Sequence, residues 1–429
     1  MLKILTILII TFFITGCSGN NSDKDNGLDT GGLDNSKILV ILVNFKDIKI
    51  ESEISYWNDM FFKKDLLSYM KENSNNKFFY SMIKDTQGNN DGIVSVTVDI
   101  NHPSPTSSSD SSMVDILPVA LKKASKYIDM YKLDTNRDMK LDTNEIIPVF
   151  IIAGYEAAIK GYGNFPSIWA HSWYVKYIAS VVESGYEYIG KYALFGEKHI
   201  NNFATVGIIA HELGHAAFGI PDLYDTTETN NGIGGFGLMG YGSWNSQTFS
   251  NGYYAAGNSP SHMSAWSKIK SGFIKPTIVT KDKEYILVKN TMPDYNILKI
   301  KLSNNEYILL ENMANDGYER GKKALVTNYQ GGISVWHVDE NVIDTFTRTN
   351  NVQKDTLHKG LDLLEATENN LDDKTGYGNG LNLFYLSNVS LIDNNTTPST
   401  MDYYGTKNNI SIEVKDNIKD SMKIEIKLK

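Results

Sequence analysis

The sequence predicts an α+β fold, in which a twisted mixed sheet backs one buried helix and a β-rich region comes after it. Three observations predict it. Residues 37–43 form a nearly continuous β-branched and leucine run, which suits a strand covered on both faces. Residues 205–218 read as a helix whose first half, Val206-Gly207-Ile208-Ile209-Ala210, is small and apolar. From about Pro276 the pattern changes to short strands near 285–288, 307–310, 332–338 and 410–428. A chain of 429 residues is long for one domain, and 41% apolar residues suffice for a sizeable core. The expected organisation is a segment 1–17, a tether 18–36, a first domain 37–275 and a β-rich domain 276–429.

In chain order, Lys3 precedes an apolar run at 4–14 that only Thr6 and Thr11 interrupt. The run is short for a bilayer and suits the core of a signal peptide. It ends in Ile14-Thr15-Gly16-Cys17, which resembles the lipobox of bacterial lipoproteins, and Cys17 is the only cysteine. That resemblance implies lipidation of Cys17 and a place in the bacterial cell envelope, membrane-anchored and facing outside the cytoplasm; a plain secretory signal is the alternative. With one cysteine no disulfide can form within the chain, so the core must carry stability. Residues 18–36 are rich in Ser, Gly, Asn and Asp and read as a flexible tether. Residues 66–71 look helical, and 113–131 more so, with Ile116, Leu117, Ala120, Leu121, Ala124 and Ile128 at the helical period. Pro118 falls early enough in that helix to be tolerated. Residues 146–153 form a second buried strand. The net charge of -9 and the lack of a long basic run argue against nucleic acid as a partner. Oligomeric state leaves no mark in the sequence.

The chemistry concentrates in His211-Glu212-Leu213-Gly214-His215, an H-E-x-x-H pattern. Histidines four apart on a helix project from one face, and two imidazoles there can share a Zn2+ at about 2.0–2.1 Å each. Glu212, next to the first ligand, is placed to act as general base on zinc-bound water. A catalytic zinc needs a third protein ligand. Past the helix, Gly219 and Pro221 turn the chain and bring Asp222 next, with Asp225 the close alternative and His262 behind both. Further on, residues 235–244 are dense in glycine around Met239. A methionine in a tight turn beneath a zinc site resembles the Met-turn of metzincins. Tyr241 then becomes a candidate to stabilise an oxyanion, against the plainer role of packing.

These blocks together resemble the immune inhibitor A family of bacterial metallopeptidases. The resemblance takes in 38–47, 66–79, Ile168-Trp169-Ala170-His171-Ser172-Trp173, the block 211–225, the Met239 turn and 260–268. It continues through Tyr307-Ile308-Leu309-Leu310-Glu311-Asn312 and 331–339, so it spreads over most of 37–425. It implies a metzincin-like zinc endopeptidase hydrolysing peptide bonds of extracellular proteins. His211, His215 and Asp222 would then be zinc ligands and Glu212 the base. The sequence departs from the family in placing three residues, Ala216-Ala217-Phe218, between His215 and Gly219 where members show two. One extra helical residue rotates the chain beyond it by about 100°. The alternative reading is a catalytically silent surface-binding lipoprotein of the same fold; an intact Glu212 speaks against it. A zinc hydrolase of a non-peptide bond is a further rival.

A second metal pattern stands at 134–145. Asp134, Asn136, Asp138, Asp142 and Glu145 occupy positions 1, 3, 5, 9 and 12 of an EF-hand-type calcium loop, with the Lys140 carbonyl at position 7. Met139 fills position 6, where glycine ordinarily permits the sharp turn. The expectation is a structural Ca2+, against a solvated acidic turn. His171 and His337, each beside a tryptophan, and Glu311 read as core groups that satisfy hydrogen bonds.

Overall fold

The apolar residues of the Lys37–Asn44 strand (β1) alternate between two cores. Ile38, Val40 and Leu42 enter one, and Leu39, Ile41 and Val43 the other. Such a strand must lie inside a sheet covered on both faces, because successive side chains point to opposite sides. In the computed structural model, which describes residues 37–78, 80–108, 110–174, 185–248, 255–367 and 370–428, it does. The signal-peptide, Cys17 and tether expectations fall on 1–36, outside the described residues.

β1 sits between Ile93–Thr97 (β2) and Ile147–Glu156 (β3), and beyond β3 come Lys191–Lys198 (β5) and His171–Tyr174 (β4), in the order β2-β1-β3-β5-β4. All neighbours are parallel except β4, which runs antiparallel to β5 with Ser172 opposite Ala193. Two-residue strands at Ser81–Met82 and Ser167–Ile168 complete the sheet. The same alternation recurs in β3, where Val149 and Ile151 face one core and Phe150 and Ile152 the other. One face is covered by the helices Asp65–Asn73 (α1) and Val206–Phe218 (α3), the other by Leu117–Ser125 (α2). Each fully buried leucine or isoleucine contributes roughly 1.5–3 kcal/mol. A surface ion pair gives about 0–1 kcal/mol, so the sheet, not its charges, fixes where α3 lies.

The helix expected over 113–131 is shorter in the structure. It runs Leu117–Ser125, and a separate turn covers Met130–Leu133. Between them the Tyr127 carbonyl accepts from the Thr86 N–H at 2.9 Å, and Ile128 bridges to Asp85. The backbone groups that would continue the helix are thus taken by a neighbouring segment.

Past 276 two sheets stack. A five-stranded sheet includes Leu298–Lys301, Glu306–Met313, Gly332–Asp339 and Leu361–Leu363; a four-stranded one includes Lys283–Val288, Ser411–Val414 and Ser421–Lys427. Ile308, Leu310, Ile333 and Val335 pack between them. The opposite face of the five-stranded sheet, through Tyr307, Leu309, Met313, Trp336 and Val338, joins the core under α3. One apolar cluster therefore runs from Ile38 to Leu383, across position 276. Among the described residues no helix is long and apolar enough to cross a membrane.

Candidate active site

Helix α3 is held at both ends by backbone. Ahead of it, extended Thr205 donates its hydroxyl to the Ala256 carbonyl at 2.7 Å, and the Gly207 N–H bonds the Gly257 carbonyl at 2.9 Å. A Cβ on Gly207 would lie 1.9 Å from the Ser243 carbonyl oxygen, so only glycine fits there. At the far end Gly219 takes a left-handed conformation, φ 64°, and its N–H closes on the His215 carbonyl. The chain then reverses and carries Asp222 back beneath the histidines.

There three side chains converge. Asp222 Oδ1 lies 3.0 Å from His211 Nε2 and 3.2 Å from His215 Nε2, and the two Nε2 atoms are 3.2 Å apart. With three residues between His215 and Gly219, Asp222 lies beside both histidines. His211 Nδ1 faces the Leu238 carbonyl at 3.0 Å and His215 Nδ1 faces the Ile220 carbonyl at 2.6 Å. A carbonyl only accepts, so each Nδ1 carries the proton and each Nε2 presents a lone pair inward. Acceptors facing one another in a buried site are costly unless a cation stands between them, and backbone-pinned Nδ1 groups are the usual second contact of metal-binding histidines. The donor set fits zinc. Among the described residues this is the only group of three or more His, Cys, Asp or Glu placed for a metal.

Glu212 is 3% exposed, and its Oε2 has no hydrogen-bond partner among the described residues. Burial pushes its carboxyl up to about 8. A carboxyl with one buried, unpartnered oxygen beside the ligand triplet can take up a proton there. Below the helix, Met239 is fully buried, and a Cβ on Gly214 would stand 2.6 Å from its Sδ. The same turn supplies the Leu238 carbonyl to His211, and the Met239 carbonyl accepts from the Leu223 N–H at 2.8 Å. It therefore fixes a ligand ring and the segment leading from Asp222 at once.

The remaining candidates separate cleanly. Asp225 takes the N–H groups of Thr227 at 2.8 Å and Thr229 at 2.6 Å, and so serves its own turn. His262 is buried away from the ligands, with Nε2 2.9 Å from Glu72 and Nδ1 3.3 Å from Lys268. His171 bonds the Trp169 carbonyl and the Tyr192 hydroxyl, and His337 bonds Glu306 at 2.9 Å. Tyr241 packs between Tyr377 at 4.5 Å and Tyr224 at 5.6 Å, while Tyr224 itself stacks on His211 at 6.3 Å. The phenol ring next to the ligands is thus Tyr224.

The calcium expectation at 134–145 gains no support. Met139 does take the sharp turn, with φ 65°. The loop's carboxylates form no group of three placed for a metal, however, and its side chains serve the loop: Asp134 accepts from the N–H groups of Arg137 at 2.7 Å and Met139 at 3.2 Å, Asn136 from Asp138, Asp138 from Lys140, Asp142 from Asn144, and Glu145 from Thr135 at 2.6 Å. Lys140 lies in a two-residue strand paired with Glu187–Tyr188.

Two residues escaped the sequence reading. Glu156, fully buried at the end of β3, accepts the N–H groups of Ala158, Ala170 and Gly196 and so ties together the chain entering β4 and the strand β5. Burial pushes it up to about 7 against those three bonds. Asn350 bonds Asp222 across 128 positions of sequence. Neither carries a local motif; an isolated polar residue at a strand end or in a loop has no period or spacing to betray it.

A mixed sheet backing a helix that presents two histidines, closed by a carboxylate with a glutamate beside it, defines a candidate metal centre of a hydrolase. Comparison with known families narrows the kind. Residues 127–274 match the immune inhibitor A peptidase M6 catalytic domain. The chain carries a peptidase domain of the immune inhibitor A-like family, and the match spans β3, β4, β5 and the whole of α3. A search of curated proteins gives no match.

Proposed function

We propose that the chain is a zinc-dependent endopeptidase that cuts extracellular proteins, with Glu212 as general base. The observation that carries the reading is the convergence of His211 Nε2, His215 Nε2 and Asp222 Oδ1 with both Nδ1 atoms occupied by carbonyls. These three residues would hold the ion. Zinc bound there supplies Lewis acidity toward the scissile carbonyl and makes water easier to deprotonate. Glu212 takes the proton from the attacking water and passes it to the departing amine. Its buried, unpartnered Oε2 suits that traffic. β4 pairs on one side only among the described residues and packs beside α3, so an extended substrate can add to its open edge by main-chain hydrogen bonds. The fit of Met239 under Gly214 supports a metzincin-like arrangement.

On the strength of the sequence at 14–17, we propose that Cys17 anchors the protein by lipid to the cell envelope, outside the cytoplasm. The test of the function is zinc content and casein cleavage for wild type and Glu212→Ala. Wild type should hold one zinc and cleave, and the variant should hold one zinc and not cleave. A wild type that holds zinc and cleaves no protein substrate would favour the binding-protein reading.

A further inference from the structure

The third ligand candidate is gripped from the far half of the chain. Asn350 comes after a short helical turn, Thr347–Thr349, and takes the left-handed conformation at φ 55°, which asparagine tolerates better than most residues. Its Oδ1 accepts the Asp222 backbone N–H at 3.0 Å, and its Nδ2 donates to Asp222 Oδ2. One amide thus reads both the backbone and the side chain of the same residue. That closes a ring of contacts around the Asp222 χ angles and leaves Oδ1 alone turned toward His211 and His215. The grip is itself anchored. The Asn350 carbonyl accepts from the Thr226 hydroxyl at 3.1 Å, and Gln353, 1% exposed, reaches the carbonyls of Leu223 at 3.4 Å and Leu361 at 2.6 Å.

We propose that Asn350 is a positioning residue of the metal centre, and that the β-rich half of the chain completes a site whose ligands all lie before position 276. The inference rests on the zinc reading of the site. Without the amide, Asp222 Oδ2 loses a donor in a buried place and the carboxylate keeps the Tyr224 hydroxyl as its remaining side-chain tie, so Oδ1 is held less firmly toward the histidines. Partners of this kind, behind the ligand rather than on the metal, are worth about 10–100-fold in metal affinity.

The test compares zinc dissociation constants, by competition with a chromogenic chelator, for the full chain, Asn350→Gly and Gln353→Ala. Glycine accepts a φ of 55° without strain, so Asn350→Gly removes the amide and spares the backbone. Gln353→Ala loosens the same segment without touching Asp222. The expected result is zinc binding weakened about 10–100-fold in Asn350→Gly, with a modest fall in the melting temperature of the zinc-free protein because the Asp222 N–H loses its acceptor. Gln353→Ala, which keeps the amide, should lower the melting temperature at least as much and cost far less zinc affinity. Unchanged zinc affinity in folded Asn350→Gly overturns the inference while leaving the zinc reading intact. Equal losses of affinity in the two variants overturn it as well, since any loosening of the segment would then suffice. A wild type that binds no zinc removes the inference together with the reading beneath it.

Discussion

Two stretches of this chain carry ligand-rich patterns, 134–145 and 211–222, and the structure uses them in opposite ways. In the first, each acidic or amide side chain accepts from a backbone N–H of its own loop. In the second, the hydrogen-bond donors point outward to the Leu238 and Ile220 carbonyls, and the acceptors are left facing one another. Ligand types at the right spacing are common to both. The two differ in whether the surrounding chain leaves the lone pairs without a donor. Buried lone pairs without one call for a cation; satisfied ones do not.

The largest effect expected from this difference is at the histidines. His215→Ala should abolish both zinc binding and peptidase activity, read by metal analysis and casein cleavage. 1,10-Phenanthroline should silence the wild type reversibly, with activity returning on added zinc. Retained zinc in His215→Ala would break the comparison at its stronger end. Next comes Glu212→Gln, which keeps the shape and removes the base. Its activity should fall by roughly 10²–10⁴-fold with zinc content unchanged.

A smaller effect belongs to the floor of the site. In an exposed helix Gly→Ala gains about 1 kcal/mol. At Gly214 the new methyl would meet Met239 Sδ at 2.6 Å, and overpacking costs about 1–3 kcal/mol, so the sign reverses. Gly214→Ala should lower the unfolding free energy in urea and weaken zinc binding. A stabilised variant would mean that Met239 has room to move, and that the turn does not set the ligand geometry.

The smallest effect lies in the acidic loop. Asp134→Ala leaves the N–H groups of Arg137, Asp138 and Met139 without their acceptor, at a cost of about 1–2 kcal/mol, and does so in the presence of EGTA. If the loss appeared only with calcium present, the loop would be a cation site and the contrast with 211–222 would fail.

Much of the fold and site is legible in the sequence, for identifiable reasons. The 3.6-residue period forces His211 and His215 onto one face, and the six apolar residues at 38–43 leave a strand no exposed side to occupy. Less legible are features set by distant backbone. The helix over 113–131 gives way because Asp85 and Thr86 claim the backbone near 127–128. Spacing alone does not separate Asp222 from Asp225; the Thr227 and Thr229 N–H groups decide it by occupying Asp225. Asn350 is invisible in the sequence, because its contact with Asp222 exists only once the β-rich half has folded against the first sheet.

The most direct measurement is anomalous scattering at the zinc edge from crystals of the full chain grown with one equivalent of zinc. The account predicts one strong peak among His211 Nε2, His215 Nε2 and Asp222 Oδ1, with Glu212 beside it and outside bonding distance of the ion. No peak there, or a peak held by other residues, would contradict it.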